Sequence, residues 1–168
     1  MVYYTLHKED IIYDEPCPKS RFIEVLDFDN EDIQKSIDNF NSLYSWAEMF
    51  DIEEVKRRLK RGDKFFLFYF NDKVSGHCWL SKNVERMGFL SEKVLPSQSL
   101  YCYNVFVDKT IHDKNECSST VYLSEIFKIL FFDGYKKIHL YTDDWNKSAQ
   151  VHFEKIGFIE DDWTITLF

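Results

Sequence analysis

Four clusters of chemically capable side chains stand out in the chain, and three of them read as structure. Asp27-Phe28-Asp29-Asn30-Glu31-Asp32 has the acidic density of a calcium loop. It lacks the glycine that makes the sharp bend and the bidentate Glu that closes such a loop, so it reads as a helix N-cap with acidic first-turn residues. Cys17, Cys78, Cys102 and Cys117 are widely spaced, with no C-x-x-C pair and no nearby His pattern. Such thiols fit a reducing compartment, not a disulfide framework or a zinc site, and no metal is expected. Lys56-Arg57-Arg58 and Lys60-Arg61 interleave with the apolar stripe Ile52, Val55 and Leu59, which favours a solvated helix face over a binding patch. The fourth cluster, Lys136 to Phe158, is different. Its alternating run Lys137–Tyr141 suits a strand, Asp143-Asp144-Trp145-Asn146 supplies turn and N-cap chemistry, and Ala149, Phe153 and Ile156 follow at helical spacing before Gly157. His152 on that helix titrates near neutrality by residue type, but it points about 100° away from Phe153.

Bulk properties narrow the partners. A length of 168 residues predicts one domain spanning 1–168. The high aromatic content, 16 Phe and 10 Tyr, predicts a core filled by rings. A net charge of −8 opposes nucleic-acid binding and favours a cationic substrate such as an amine, although acidic solubility accounts for it equally. No apolar run approaches a membrane span, and the first residues lack the basic start and apolar stretch of a signal peptide. The expectation is a cytoplasmic protein with no membrane partner.

The elements that must position the fourth cluster follow from periodicity. Extended segments are expected at Val2–Leu6 and Phe22–Leu26, and helices at about Ile33 to Met49 and Ile52 to Arg61, the second ended by Gly62. Lys64–Phe70 is an unbroken apolar strand that Asn71-Asp72-Lys73 turns into Val74–Leu80. Leu100–Val107 is a further strand, and Ser118–Phe132 is a helix apolar on most sides, ended by Asp133-Gly134. A last strand begins at Phe158.

The series Asn146-x-x-Ala149-x-x-x-Phe153-x-Lys155-x-Gly157-Phe158 resembles the C-terminal signature of the GNAT superfamily of acyl-CoA-dependent N-acyltransferases, in which the aromatic position is usually Tyr. The element order from Phe22 to Phe168 is similar too, and Gly76 matches a frequent family glycine. The resemblance implies an α/β (α+β) fold: a mixed, mostly antiparallel sheet with a central parallel pair, flanked by helices. Leu100–Val107 and Lys137–Tyr141 would be that pair, diverging at their C-terminal ends.

The resemblance further implies an N-acetyltransferase that moves an acetyl group from acetyl-CoA to a primary amine of a small molecule or peptide. The alternative is a GNAT-fold binding protein without chemistry. Val105, Phe106 and Val107 would offer main-chain groups to the pantetheine. His112, Asp113, Lys114, Asn115, Glu116, Cys117 and Ser118 occupy the family's pyrophosphate loop with none of its glycines, so Asn115 is expected to supply a left-handed bend. Asn146 would touch coenzyme A or serve as a plain N-cap. Tyr103 and Asn104 stand where relatives place the carboxylate that directs a base-activated water. Phe153 takes the position of the Tyr that protonates the leaving thiolate. The acceptor pocket would be built by the first two helices and Val84 to Ser99.

Overall fold

Runs of β-branched and aromatic residues set the strands, and capped amphipathic runs set the helices. The computed structural model describes residues 1–44, 51–84 and 93–164. In chain order the elements are β1 (Val2–His7), β2 (Ser20–Glu24), α1 (Glu31–Leu43), α2 (Ile52–Arg61), β3 (Lys64–Phe70), β4 (Lys73–Ser81), β5 (Asn83–Val84), β6 (Lys93–Val94), β7 (Ser99–Val107), α3 (Thr120–Phe132), β8 (Lys137–Thr142), α4 (Lys147–Ile156) and β9 (Ile159–Glu160). Seven strands form one sheet in the order β2-β3-β4-β7-β8-β1-β9, and β5 and β6 form a separate pair. β7 and β8 run parallel, with Ser99, Leu100 and Tyr101 opposite Lys137, Ile138 and His139. The other registered pairs, β1 with β8 and β9, and β2–β3–β4, are antiparallel. The expected mixed, mostly antiparallel sheet with its parallel pair is present.

The chain falls into two compact units. The first comprises Met1–Glu15, Ser81–Tyr103 and Thr120–Phe168. Its core joins Leu6, Ile138 and Leu140 of the strands to Ile126, Phe127 and Ile156 of α3 and α4. Helix α3 is the apolar element the sequence suggests, yet Phe132 is 90% exposed at its end. Gly157 is needed twice over: its φ is +107°, and a Cβ there would lie 2.1 Å from the Asp10 carbonyl oxygen.

The second unit comprises Pro16–Leu80 and Asn104–Ser119. The β3–β4 hairpin turns on Asn71 and Asp72, both at positive φ (48° and 62°), as a two-residue primed turn requires. Here Gly76 permits a close approach of chain to chain, because a Cβ would sit 2.0 Å from the Phe106 carbonyl oxygen. Helix α2 has the bounds its pattern indicates, with Asp51 accepting from the Glu54 amide at 2.9 Å.

Three expectations are corrected. The second extended segment stops at Glu24, and Leu26 lies beyond it in solvent. Helix α1 starts earlier, at Glu31, because Asn30 caps it by accepting from the Asp32 amide, and it ends at Leu43. The stretch after β4 contains a short hairpin, β5–β6, where no strand was expected: two-residue strands have no periodicity to read. The far end of the expected first helix (45–50), part of the segment 84–99, and residues 165–168 of the expected last strand lie outside the described residues.

Candidate active site

Within the second unit, the feature that most resembles a built site is a break in β7. Asn104 adopts φ +47° in the midst of a strand, a left-handed conformation that costs an L-residue energy and that Asn tolerates better than most. Its side chain is pinned: Arg58 donates from Nη1 to Asn104 Oδ1 at 2.8 Å. Arg58 is fully buried, donates from Nε to Glu54 Oε1 at 2.7 Å, and lies over the Trp79 ring at 5.1 Å. Hydrogen bonds from Arg57 and Arg58 hold the Glu54 carboxyl down at about 2, against the opposing effect of its partial burial. A buried cation with a carboxylate and an amide carbonyl as partners fixes this irregular backbone.

Beside it lies a second polar pair. Ser36 Oγ and His77 Nδ1 are 2.7 Å apart, and the imidazole is enclosed by Phe40, Phe65 and Phe106. Burial, then the charge of Arg58, pushes His77 down to about 3. A histidine that stays neutral to that pH is no general base at neutrality. Tyr44 packs edge-on against Phe106, and burial together with the charge of Asp108 raises its phenol above the ordinary value.

The loop from Asp108 to Ser119 closes largely on its own acceptors. Asp108 takes hydrogen bonds at its backbone carbonyl from the Ile111 and His112 amides, and at its carboxylate from the Thr110 amide and hydroxyl. Asp113 receives Asn115 at its carboxylate and Glu116 and Cys117 at its carbonyl. The buried His112 ring bonds Nε2 to the Cys117 carbonyl at 2.9 Å and packs on Phe70. Asn115 is not left-handed: its bend is replaced by Asp113 acting as acceptor, a local device that Asp side chains favour. Glu116 turns to Lys19 in an ion pair. The exposed Asp113 and Lys114 keep amides that bond to nothing among the described residues, and the loop also carries the exposed Lys109 and Lys114. Those amides and lysines are the donors that this loop offers an anion.

In the first unit, Asn146 caps α4 by accepting from the Ala149 amide at 3.2 Å. Phe153 is 7% exposed and packs against Tyr4 and Phe158, so its ring serves the core of that unit. Tyr103 is buried and stacks on Tyr101 at 5.4 Å. Of the residues the resemblance selects, Asn104, Val105, Phe106, Val107 and the 112–118 loop belong to one unit, and Tyr103, Asn146 and Phe153 to the other. Near the segments expected to receive an acceptor, a groove of about 660 Å³ is lined by Leu26, Phe28, Glu53, Lys56 and Leu59.

The Ser36–His77 pair carries no motif and was missed, and the reading of Arg58 as part of a solvated helix face is corrected: it is fully buried. A signal for Arg58 existed: it lies three residues after buried Val55, on the apolar face, while the other basic residues of the cluster point away. Among the described residues, no group of three His, Cys, Asp or Glu side chains is placed to hold a metal, and no helix is long and apolar enough to cross a membrane.

No family model matches the chain, and no curated protein matches it. Solved structures do. An aminoglycoside acetyltransferase from an uncultured soil metagenomic sample, solved with trehalose, superposes with a TM-score of 0.60 at 15% identity, over 82% of this chain and 87% of its own. A GNAT-family acetyltransferase from Staphylococcus aureus Mu50 gives 0.60 at 18% identity, over 85% and 86%. A putative acetyltransferase from Salmonella typhimurium, solved with its cofactor acetyl-CoA, gives 0.58 at 16% identity, over 84% and 80%. The chain has the GNAT fold.

Proposed function

We propose that this GNAT-fold chain is an acetyl-CoA-dependent N-acetyltransferase acting on a primary amine of a small molecule or peptide. The observation that carries the reading is the left-handed break at Asn104, held open by a fully buried arginine. Strained backbone persists only where its surroundings over-determine it, and such places cluster at functional sites. A strand interrupted at Asn104 would free main-chain groups of Val105–Val107 on one edge to bond a substrate in place of a neighbouring strand. Those groups would orient the pantetheine and polarise the thioester carbonyl. The Asp113 and Lys114 amides and the side chains of Lys109 and Lys114 would receive the pyrophosphate.

Phe153 offers no proton to a leaving group. A thiol of pKa about 8.5 departs as a fair thiolate unaided, so transfer would be slow without that acid but not forbidden. Neither Tyr103 nor Asn104 is a base at neutral pH, so the amine would have to arrive neutral from solvent. The negative net charge would raise the local concentration of cationic amines.

A specific observation favours the second reading, a GNAT-fold binding protein without chemistry: most amides of the 110–117 loop already serve Asp108 and Asp113. Calorimetry with acetyl-CoA and with desulfo-CoA decides between them. Saturable heat from both ligands is the expected result. Silence at near-millimolar ligand would leave the second reading standing.

A further inference from the structure

Two of the four cysteines, far apart in sequence, meet in the second unit. Cys17 opens the turn Cys17-Pro18-Lys19-Ser20, closed by the Ser20 amide donating to the Cys17 carbonyl at 3.0 Å. The turn holds Cys17 three residues from Ser20, whose side chain reaches Cys117. Ser20 Oγ lies 3.3 Å from Cys117 Sγ, and Lys19 pairs with Glu116, the residue before Cys117. Both thiols are half-buried and reachable, whereas Cys78 and Cys102 are sealed in the core.

The two sulfurs are not equivalent. Burial alone would raise Cys17, but the hydrogen bonds from Cys117, Ser20 and the two amides outweigh it and hold the thiol below its ordinary value. Burial and the hydrogen bond to Cys17 push Cys117 up. A thiol more readily ionised than its neighbour is the asymmetry that thiol–disulfide exchange uses: one sulfur attacks and the other resolves.

We propose that Cys17 and Cys117 form a thiol–disulfide exchange site whose substrate is a low-molecular-weight disulfide such as oxidised glutathione. The Cys17 thiolate attacks one sulfur of the small disulfide, breaking its S–S bond and expelling a thiolate that takes up a proton. Cys117 then loses its proton and attacks Cys17 Sγ, which forms the protein disulfide and releases the second small thiol. Two protein thiols are oxidised and one small disulfide is reduced to two thiols. Cys117 also anchors its loop, donating its amide to Asp113 and accepting from His112 at its carbonyl. A bond to Cys17 would therefore stiffen the segment read above as the pyrophosphate loop. That consequence, unlike the exchange itself, rests on the acetyl-CoA reading.

The test treats the full chain with oxidised glutathione, alkylates the remaining thiols after unfolding, and maps the peptides. A Cys17–Cys117 cross-link is expected, with Cys78 and Cys102 alkylated and unoxidised. In Cys117→Ser, a glutathione adduct should persist on Cys17. In Cys17→Ser, adduct formation on Cys117 should be at least about tenfold slower than at Cys17. The proposal is overturned if the wild-type chain yields no cross-link, or if folded Cys117→Ser carries no adduct on Cys17. Acetyl-CoA calorimetry on both redox forms separates the two claims. A cross-link with equal affinity in both forms removes the regulatory consequence, and a cross-link with no binding in either removes the acetyl-CoA reading while the exchange site stands.

Discussion

In the unit built on β3 and β4, His77 meets the Ser36 hydroxyl among Phe rings and beside the cationic Arg58. In the unit built on β1 and β8, His139 meets the Thr5 hydroxyl at 3.0 Å, and Thr5 donates to Asp161 at 3.0 Å. Since Thr5 gives its only proton to Asp161, it must accept from His139 Nδ1, which fixes that tautomer. Both imidazoles are kept neutral by burial, but their neighbours differ. Arg58 adds to the depression of His77, to about 3. Lys137 also lowers His139 while Asp161 works the other way, and the value is about 4. One network surrounds a permanent charge at an irregular backbone. The other stitches regular strands and the chain that follows them. Buried polar groups are costly in both places, but only the first fixes a conformation that the chain would not otherwise hold.

The sharpest way to break this contrast is to remove the charge. Arg58→Ala leaves Asn104 without its donor, Glu54 with Arg57 alone, and a cavity where the side chain lay, and should cost about 3 kcal/mol or more. Thr5→Val, which deletes the hydroxyl between His139 and Asp161, should cost roughly 1–2 kcal/mol. Urea denaturation of both variants measures the difference. Equal losses would mean that Arg58 holds nothing beyond an ordinary polar contact.

Acid reads both networks together. Above the ordinary value of 6.5 each histidine is neutral folded or unfolded, and pH has no purchase on either. Below it, the unfolded chain takes up protons first, so stability falls as pH drops from about 6.5 towards 4 for His139 and 3 for His77. The limiting slope is about 1.4 kcal/mol per pH unit for each histidine. Glu54 adds loss lower down, because its stabilisation is present above about 4.5 and disappears towards 2. Denaturation between pH 7 and 5 should show this decline, and His139→Asn should halve it. A flat profile in the wild-type chain would contradict neutral burial of both rings.

How much of this was legible in the sequence depends on range. Caps and strand runs are local, so Gly62, Asn146 and Gly157 could be read directly, as could Lys64–Phe70. The β7 break could not, because Asn104 is held by Arg58 on a distant helix. Nor could the meeting of Cys17 with Cys117, which spacing alone describes as scattered. The loop expected to hold the pyrophosphate was misread in another way: the expected bend at Asn115 ignored the capacity of Asp113 to accept three amides by itself.

A smaller effect is expected at Phe153, where the first unit departs from the family signature. Its ring packs on Tyr4 and Phe158 with little exposure, so Phe153→Tyr would bury a hydroxyl there and should destabilise by roughly 1 kcal/mol with no gain in acetyl-CoA turnover. Melting temperature and turnover, measured on the same preparation, test this. A rise in turnover of about 100-fold, the usual worth of general acid assistance, would place the position beside the leaving group instead of in the core.

The smallest stability change should come from Asn104→Gly, which is also the most discriminating. Glycine takes φ +47° without penalty, so the substitution relieves strain while removing one neutral acceptor from Arg58. The two effects are each about 1 kcal/mol and oppose one another, leaving the variant close to wild type. Asn104→Ala loses the acceptor and keeps the strain, and should be about 1 kcal/mol less stable than the glycine variant. If the break in β7 is what exposes main-chain groups to acetyl-CoA, the glycine variant should keep its affinity. The alanine variant, free to lower its strain by returning to extended backbone, should bind more weakly. Affinity lost in Gly and kept in Ala would show that the Asn104 amide itself, and not the shape it gives the strand, is what the ligand needs.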